Sequence, residues 1–223
     1  MNKTVILLIV ILFHSVSFAG FGTDWADRGN GGDVIVCQKD GYTMYDIYEA
    51  EKRYGLKPQF LTVIPAGEGD TVEEKWEMTV KVTQNLIDRL KDIDRARWEK
   101  YSQWLQTFEE ESRFVGNAEL FDVPDTGIGF IPPGCELKQL VIQRDPKFPH
   151  DRRYIIAMDH WWWLEPQDAA AAVMHELLYR EVAALRPEVR TSEALRYFNA
   201  LILSNKISEL TPSEYLELIR RVF

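Results

Sequence analysis

The sequence predicts an α+β fold, in which a small antiparallel sheet packs against several helices, one of them a long central helix or a helical hairpin. Three observations support this prediction. Residues 71–115 contain neither Gly nor Pro and have apolar residues at helical spacing, short apolar runs follow in residues 128–158, and the last third of the chain is again helical in pattern. Strands between helical blocks, without alternation of strand and helix, are typical of α+β proteins.

The first predicted element is a buried strand at residues 34–37 (VIVC), a short β-branched run. Residues 44–54 mix tyrosines and aliphatic residues with charges and predict a helix, and Gly55 follows where a glycine commonly ends a helix. Within residues 71–115, the acidic segment 92–94 is the only candidate for a break. The region is therefore expected to be one long helix or a helical hairpin.

Strands are expected in the middle third of the chain and helices in the last third. Three apolar or alternating runs, separated by Pro, Gly and Asp, predict strands at residues 128–131, 137–143 and 153–158. Three helices follow. Asp168 is the candidate cap of a helix that extends to about residue 184, and Thr191 is the candidate cap of a helix at residues 192–205. Thr211 begins a capping box, with Pro212 at the first position of the third helix.

The N-terminus has the features of a secretory signal peptide. Lys3 precedes a run of nine apolar residues, and the small residues Ser17 and Ala19 lie three and one before an expected cleavage site. The apolar run is shorter than the roughly 20 residues that a membrane span needs, so an uncleaved anchor is the less favoured alternative. We therefore expect a signal peptide at 1–19 and a single globular domain at 20–223, exported in soluble form to the periplasm or the medium.

Composition narrows the classes of partner. The net charge of −9 disfavours nucleic acid and anionic membrane surfaces. The seven tryptophans leave peptides and carbohydrates open as ligands, because indole rings serve both in cores and in binding surfaces. Trp161, Trp162 and Trp163 are consecutive, and three bulky rings in a row cannot all face the same way. Whether this run is core or an exposed carbohydrate-binding surface stays open at the level of sequence.

Cys37 and Cys135 are the only cysteines. In an exported protein such a pair normally forms a disulfide, and the alternative is two buried free thiols. A bridge that closes a loop of about a hundred residues is worth a few kcal/mol in the loop-entropy model. Neither cysteine lies in a recognisable catalytic signature.

The segment HELLYR, residues 175–180, is the one motif with a chemical interpretation. It begins like the zinc-peptidase pattern H-E-x-x-H, in which two histidines bind zinc and the glutamate polarises the metal-bound water, but Tyr179 stands at the second histidine position. His160 is a candidate replacement ligand. His175 and Glu176 would then be the catalytic residues, and His175 and His160 the zinc ligands, of a metal-dependent hydrolase acting on peptide or cell-wall material.

A structural interpretation of the same segment is favoured over the catalytic one. His175 shares a helix face with apolar residues, where a histidine is usually a hydrogen-bonded core residue. Glu176 and Arg180 are four residues apart, in the orientation that favours an ion pair on a helix. These residues are explained without any cofactor.

Three segments together resemble a known group of proteins: GNGGD at 29–33 followed by Cys37, PPGC at 132–135, and HELLYRE at 175–181. The chain is similar to uncharacterised exported proteins of Gram-negative, predatory-type bacteria, a group without an established activity. The resemblance implies export and pairing of the two cysteines. It also implies that six motif residues gather in one place, as a ligand site or as a buried polar network: Asn30, Asp33, His175, Glu176, Tyr179 and Arg180.

The leading hypothesis for function is a non-enzymatic exported protein, a binding or envelope-associated module. The metal-dependent hydrolase is the alternative, and carbohydrate binding through the tryptophan run is the third hypothesis.

Overall fold

The structure is a computed structural model that describes residues 32–38, 41–61, 71–116, 120, 129, 131–186 and 191–223. Within these residues, seven α-helices and two three-stranded sheets form the mixed α+β arrangement that the sequence predicts. No helix in this part of the chain is long and apolar enough to cross a membrane. The predicted signal peptide lies outside the described residues, as do residues 128 and 130 of the strand predicted at 128–131. The described residues 129 and 131 are not part of a strand.

The first sheet is antiparallel throughout and has the order β2-β1-β4, with β1 at Asp33–Cys37, β2 at Gly41–Met44 and β4 at Cys135–Gln139. The register of β1 and β4 places Cys37 directly opposite Cys135. The two residues form a disulfide, with their Cα atoms 4.2 Å apart. The predicted bridge is therefore confirmed, and it fastens the start of the described chain to its middle third.

The second sheet has the order β3-β6-β5, with β3 at Ser112–Val115, β5 at Val141–Gln143 and β6 at Tyr154–Ala157. The β5–β6 pair is antiparallel, whereas β3 and β6 are parallel. The single strand predicted across β4 and β5 is divided at Leu140, whose N–H donates to the carbonyl of Gly32 (3.1 Å). The chain passes from one sheet to the other at this residue, so two small sheets replace the single expected one.

The region without Gly and Pro is a helical hairpin, formed by α2 (Val72–Asp88) and α3 (Arg95–Phe108). The break lies in the predicted acidic segment, because the carboxylate of Asp94 caps α3 by accepting the N–H of Arg97 (3.0 Å). The helical prediction extends too far at its C-terminal end, where β3 begins.

The remaining helices are α1 (Tyr45–Lys52), α4 (Met158–Trp161), α5 (Pro166–Leu185), α6 (Glu193–Leu203) and α7 (Pro212–Val222). Gly55 adopts a φ of 64° just beyond α1, as its predicted role requires. The capping box of Thr211 is also confirmed. The predicted cap of α5 is wrong, since Glu165 holds that position and Asp168 instead accepts the N–H of Met44 (2.6 Å).

Helix α5 runs through the centre of the molecule. It packs against α2 on one side and against α1 and α6 on another. Its first half carries four consecutive buried alanines, Ala169, Ala170, Ala171 and Ala172, whose small side chains allow neighbouring helices to approach closely. Because α5 is enclosed on several sides, the HELLYR segment in its second half lies in the core.

Candidate functional site

The two residues at the start of the HELLYR segment are buried: His175 is 2% exposed and Glu176 is 0% exposed. On a surface helix, one of two consecutive polar residues would face solvent. Both are enclosed here because α5 contacts other elements around most of its circumference. Buried polar groups need hydrogen-bond partners, and these two find them in distant parts of the sequence.

Glu176 uses both carboxylate oxygens within the fold. Its Oε1 accepts the backbone N–H of Gly32 (2.7 Å) and its Oε2 accepts Nε2 of Gln143 (2.9 Å). The same amide nitrogen also donates to the backbone carbonyl of Glu176 (3.0 Å). Burial raises the pKa of Glu176, and the charge of His175 together with the two hydrogen bonds acts in the opposite direction. Glu176 thus ties the start of β1 and strand β5 to the central helix.

Gly32 lies close to the buried side chain of Met44, whose end would have to move to admit a larger residue. A Cβ at this position would lie 2.3 Å from Cε of Met44. Gly32 does not have a positive φ, since the positive-φ glycines among the described residues are Gly41, Gly55 and Gly134. Residues 29–31 of the GNGGD segment, including Asn30, lie outside the described residues.

His175 is held by α1 and α6. Its Nδ1 is 2.9 Å from Oδ2 of Asp46, and Nδ2 of Asn199 donates to the same oxygen (2.6 Å). Asn199 also donates to the carbonyl of Ala171 on α5 (3.2 Å). The ring of Tyr179 stacks near-parallel to the imidazole, at 6.5 Å between centroids and 12° between planes. We call the set Asp46, Gln143, His175, Glu176 and Asn199 the polar network.

A buried ion pair lies beside the polar network and repeats its geometry. Arg196 Nε is 2.7 Å from Oε2 of Glu49, and both side chains are buried. Asp46 and Glu49 are three residues apart on α1, as are Arg196 and Asn199 on α6. The Asp46–Asn199 and Glu49–Arg196 contacts therefore lie one helical turn apart along the α1–α6 interface. Asp46 therefore belongs to the α1–α6 interface as much as to His175.

Arg180 is separate from the polar network. Its Nη1 is 3.2 Å from Oε1 of Glu111, and its guanidinium lies 4.4 Å from the ring centroid of Trp104. The expected Glu176–Arg180 ion pair does not form, because Glu176 is directed toward the sheets. Arg153 also contacts Glu111 (2.9 Å). Burial by itself would raise the pKa of Glu111, but its hydrogen bonds, including that from Arg153, lower it.

The proposed zinc ligands have different surroundings. His160 lies on α4 with its ring 6.0 Å from that of Tyr42, whereas His175 stacks on Tyr179. Within the residues that the structure describes, no group of three His, Cys, Asp or Glu side chains is placed to hold a metal ion. The GNGGD and HELLYR segments contact each other through Gly32 and Glu176, and Asp33 follows as the buried first residue of β1. Of the six motif residues expected to gather, His175, Glu176 and Tyr179 lie together on α5, whereas Arg180 is paired with Glu111 and Asn30 lies outside the described residues.

Three members of the polar network, Asp46, Gln143 and Asn199, were not identified from the sequence. Each is buried with no exposed face to explain its polarity. Asn199 gives the clearest retrospective signal, since it lies between Leu195 and Ile202 on the buried face of α6. A polar residue on an otherwise apolar helix face indicates a buried partner, but the sequence does not say which one.

The tryptophan run is divided between core and surface. Trp161 is 3% exposed and packs near Trp76 and Phe114, with ring centroids at 6.2 and 5.7 Å. Trp162 is 39% exposed and Trp163 is 63% exposed. The expectation that the three rings cannot share one direction is confirmed.

In comparisons with protein-family models, with curated proteins and with solved structures, nothing matches this chain.

Proposed function

We propose that this chain is an exported, disulfide-stabilised, non-enzymatic binding module whose HELLYR segment holds the fold together. The observation that carries the proposal is the state of Glu176. Its carboxylate is fully buried, and its two oxygens accept hydrogen bonds from Gly32 and Gln143. A general base needs to reach a substrate or a water molecule, and this carboxylate is directed to the main chain and to an amide.

His175 by itself does not separate a structural role from a catalytic one. A carboxylate on one ring nitrogen, as Asp46 provides, also orients histidines that bind zinc through the other nitrogen. Glu176 does separate them, because a zinc hydrolase of the H-E-x-x-H type requires that glutamate beside the metal-bound water. Support for the structural role therefore comes from Glu176, and His175 is consistent with it.

Metal analysis tests this proposal against the hydrolase. The protein is purified without chelator, and zinc per chain is measured in the parent, in His175→Ala and in His150→Ala, a control in which an exposed histidine is removed. We expect no stoichiometric zinc in any of the three. One zinc per chain in the parent and in His150→Ala, but not in a folded His175→Ala variant, would overturn the proposal in favour of the hydrolase.

Export is the second part of the proposal. It is supported by the N-terminal sequence pattern and by the Cys37–Cys135 bridge, since structural disulfides persist in oxidising compartments. Expression with the native leader in a Gram-negative host should give a product outside the cytoplasm that begins at Gly20 and has no thiol reactive toward alkylation after unfolding. A full-length cytoplasmic product with two reactive thiols would contradict export.

A further inference from the structure

The turn between α4 and α5 exposes two indole rings on a fixed backbone. Trp162, Trp163 and Leu164 donate their N–H groups to the carbonyls of Met158 (2.9 Å), His160 (3.2 Å) and Trp161 (3.2 Å). The turn is anchored on both sides, because Trp161 before it and Leu164 after it are buried. An indole buries a large apolar area when it is placed in a core, so two exposed ones on a rigid turn suggest a binding surface.

Neighbouring side chains hold these rings in place. The ring of Tyr42, from the edge strand β2, lies 6.4 Å from that of Trp163 with 19° between their planes, and 6.0 Å from that of His160. The ammonium of buried Lys75 donates to the carbonyl of Trp162 (2.5 Å) and lies 5.8 Å from its ring centroid. We call Tyr42, His160, Trp162 and Trp163 the aromatic platform. These contacts orient the rings, which reduces the entropy lost on binding.

The charges around the aromatic platform restrict the ligand class. The exposed carboxylates of Asp159 and Glu165 flank it in the sequence, and the nearby cation, Lys75, is buried against Trp162. Anionic ligands are disfavoured by these carboxylates and by the net charge of −9. A cationic ligand over Trp162 would meet the like charge of Lys75.

A neutral ligand rich in hydroxyl groups fits both features. The C–H face of a sugar ring stacks on a flat aromatic ring, and sugar hydroxyls donate hydrogen bonds to carboxylates, which have acceptor oxygens only. We infer that the aromatic platform binds a carbohydrate chain, with a sugar ring stacked on Trp163 and hydroxyls directed to Asp159 and Glu165. This inference rests on the proposed binding function and names its ligand class.

Binding to defined oligosaccharides tests the inference. A glycan array is first screened with the parent to identify candidate ligands. These ligands, together with hexamers of β-1,4-linked N-acetylglucosamine, β-1,4-linked glucose and α-1,4-linked glucose, are then titrated into the parent by calorimetry. Trp163→Ala removes the exposed ring without touching the core. Phe148→Ala is the matched control, because Phe148 is an exposed aromatic residue that stacks on His150 instead (5.7 Å between centroids). We expect Trp163→Ala to weaken binding at least tenfold and Phe148→Ala to leave it unchanged.

The inference would be overturned if the parent bound no glycan at millimolar concentration, or if Trp163→Ala left glycan binding intact. It would also be overturned if the parent bound a lysine-rich peptide and no glycan, and if Trp163→Ala abolished that peptide binding. Each is distinguishable from failure of the proposed structural role of the HELLYR segment. If the structural role fails, the protein contains zinc that is lost in His175→Ala. If the aromatic platform is the glycan site, a folded Glu176→Gln variant binds the same oligosaccharide as the parent.

Discussion

Replacement of Glu176 by alanine is expected to destabilise the protein strongly. The change leaves the N–H of Gly32 and the amide of Gln143 without their buried acceptors, at a cost of about 1–3 kcal/mol each. It also leaves a cavity beside the central helix. Part of the loss is offset, because a carboxylate whose pKa is raised by burial no longer has to be held in the interior. We expect a net loss of about 2–4 kcal/mol, a large share of a typical stability of about 5–15 kcal/mol.

Glu176→Gln separates the structural role from a catalytic one. Glutamine keeps the size of the side chain and an oxygen for the N–H of Gly32, but its NH2 group faces the amide nitrogen of Gln143. The loss of about one hydrogen bond, about 0.5–1.5 kcal/mol, is countered by removal of the buried charge. This variant should therefore stay within about 1 kcal/mol of the parent in free energy of unfolding. Glu77→Ala, at an exposed position on α2, is the control and should change it by about 0.5 kcal/mol or less.

Urea unfolding at pH 7, followed by tryptophan fluorescence, measures these differences. With a slope of about 2–3 kcal/mol per molar urea, the alanine variant should unfold at a midpoint about 1 M below that of the parent. The glutamine variant and the Glu77→Ala control should unfold close to the parent. An alanine variant with the midpoint of the parent would refute the reasoning, since the carboxylate would then have no structural role.

Three further predictions concern other parts of the fold. Joint replacement of Cys37 and Cys135 by serine should cost about 4–5 kcal/mol in the loop-entropy model, and an unchanged urea midpoint would contradict it. Burial raises the pKa of Asp168 to about 6, so the stability it contributes is full below about pH 4 and is lost as the pH rises through 6. The free energy of unfolding of Asp168→Asn should therefore rise relative to that of the parent by up to about 3 kcal/mol between pH 4 and 7, and parallel pH profiles would exclude this. A double-mutant cycle with His175→Ala and Asp46→Ala should give a coupling of about 1–3 kcal/mol, whereas additive losses would show that the two do not interact.

Local signals in the sequence predicted three helix boundaries correctly, whereas Glu165 and Ser192 hold the N-cap positions predicted for Asp168 and Thr191. The capping box of Thr211, the glycine stop at Gly55 and the break at Asp94 each depend on residues within one helical turn. Such short-range chemistry is readable without knowledge of the fold.

Strand pairing was predictable only in part. Strands β2 and β3 are four residues each, too short to show an alternating pattern, and β3 directly follows a helical region without a Gly or Pro to mark the change. The division at Leu140 depends on its contact with Gly32, more than a hundred residues earlier in the chain. Non-local contacts of this kind leave no local signal.

The polar network was also predictable only in part, because its contacts join residues that are distant in the sequence. Sequence patterns identified the two motifs, and the structure joins them through Gly32 and Glu176, which are 144 residues apart. The partners of His175 were not predictable, because Asp46 is 129 residues away and is an ordinary acidic residue in the first turn of a helix. Only the buried environment, which depends on the packing of three helices, gives it a role.

Hydrogen exchange of the Gly32 amide, measured by NMR, tests the central claim most directly. If Glu176 is a structural residue, this N–H is bonded to a buried carboxylate and should exchange only when the whole protein unfolds. Protection should be lost in Glu176→Ala and kept in Glu176→Gln. Exchange of the Gly32 amide at the rate of an unprotected amide in the folded parent would contradict the account, because the carboxylate of Glu176 would then be available for other chemistry.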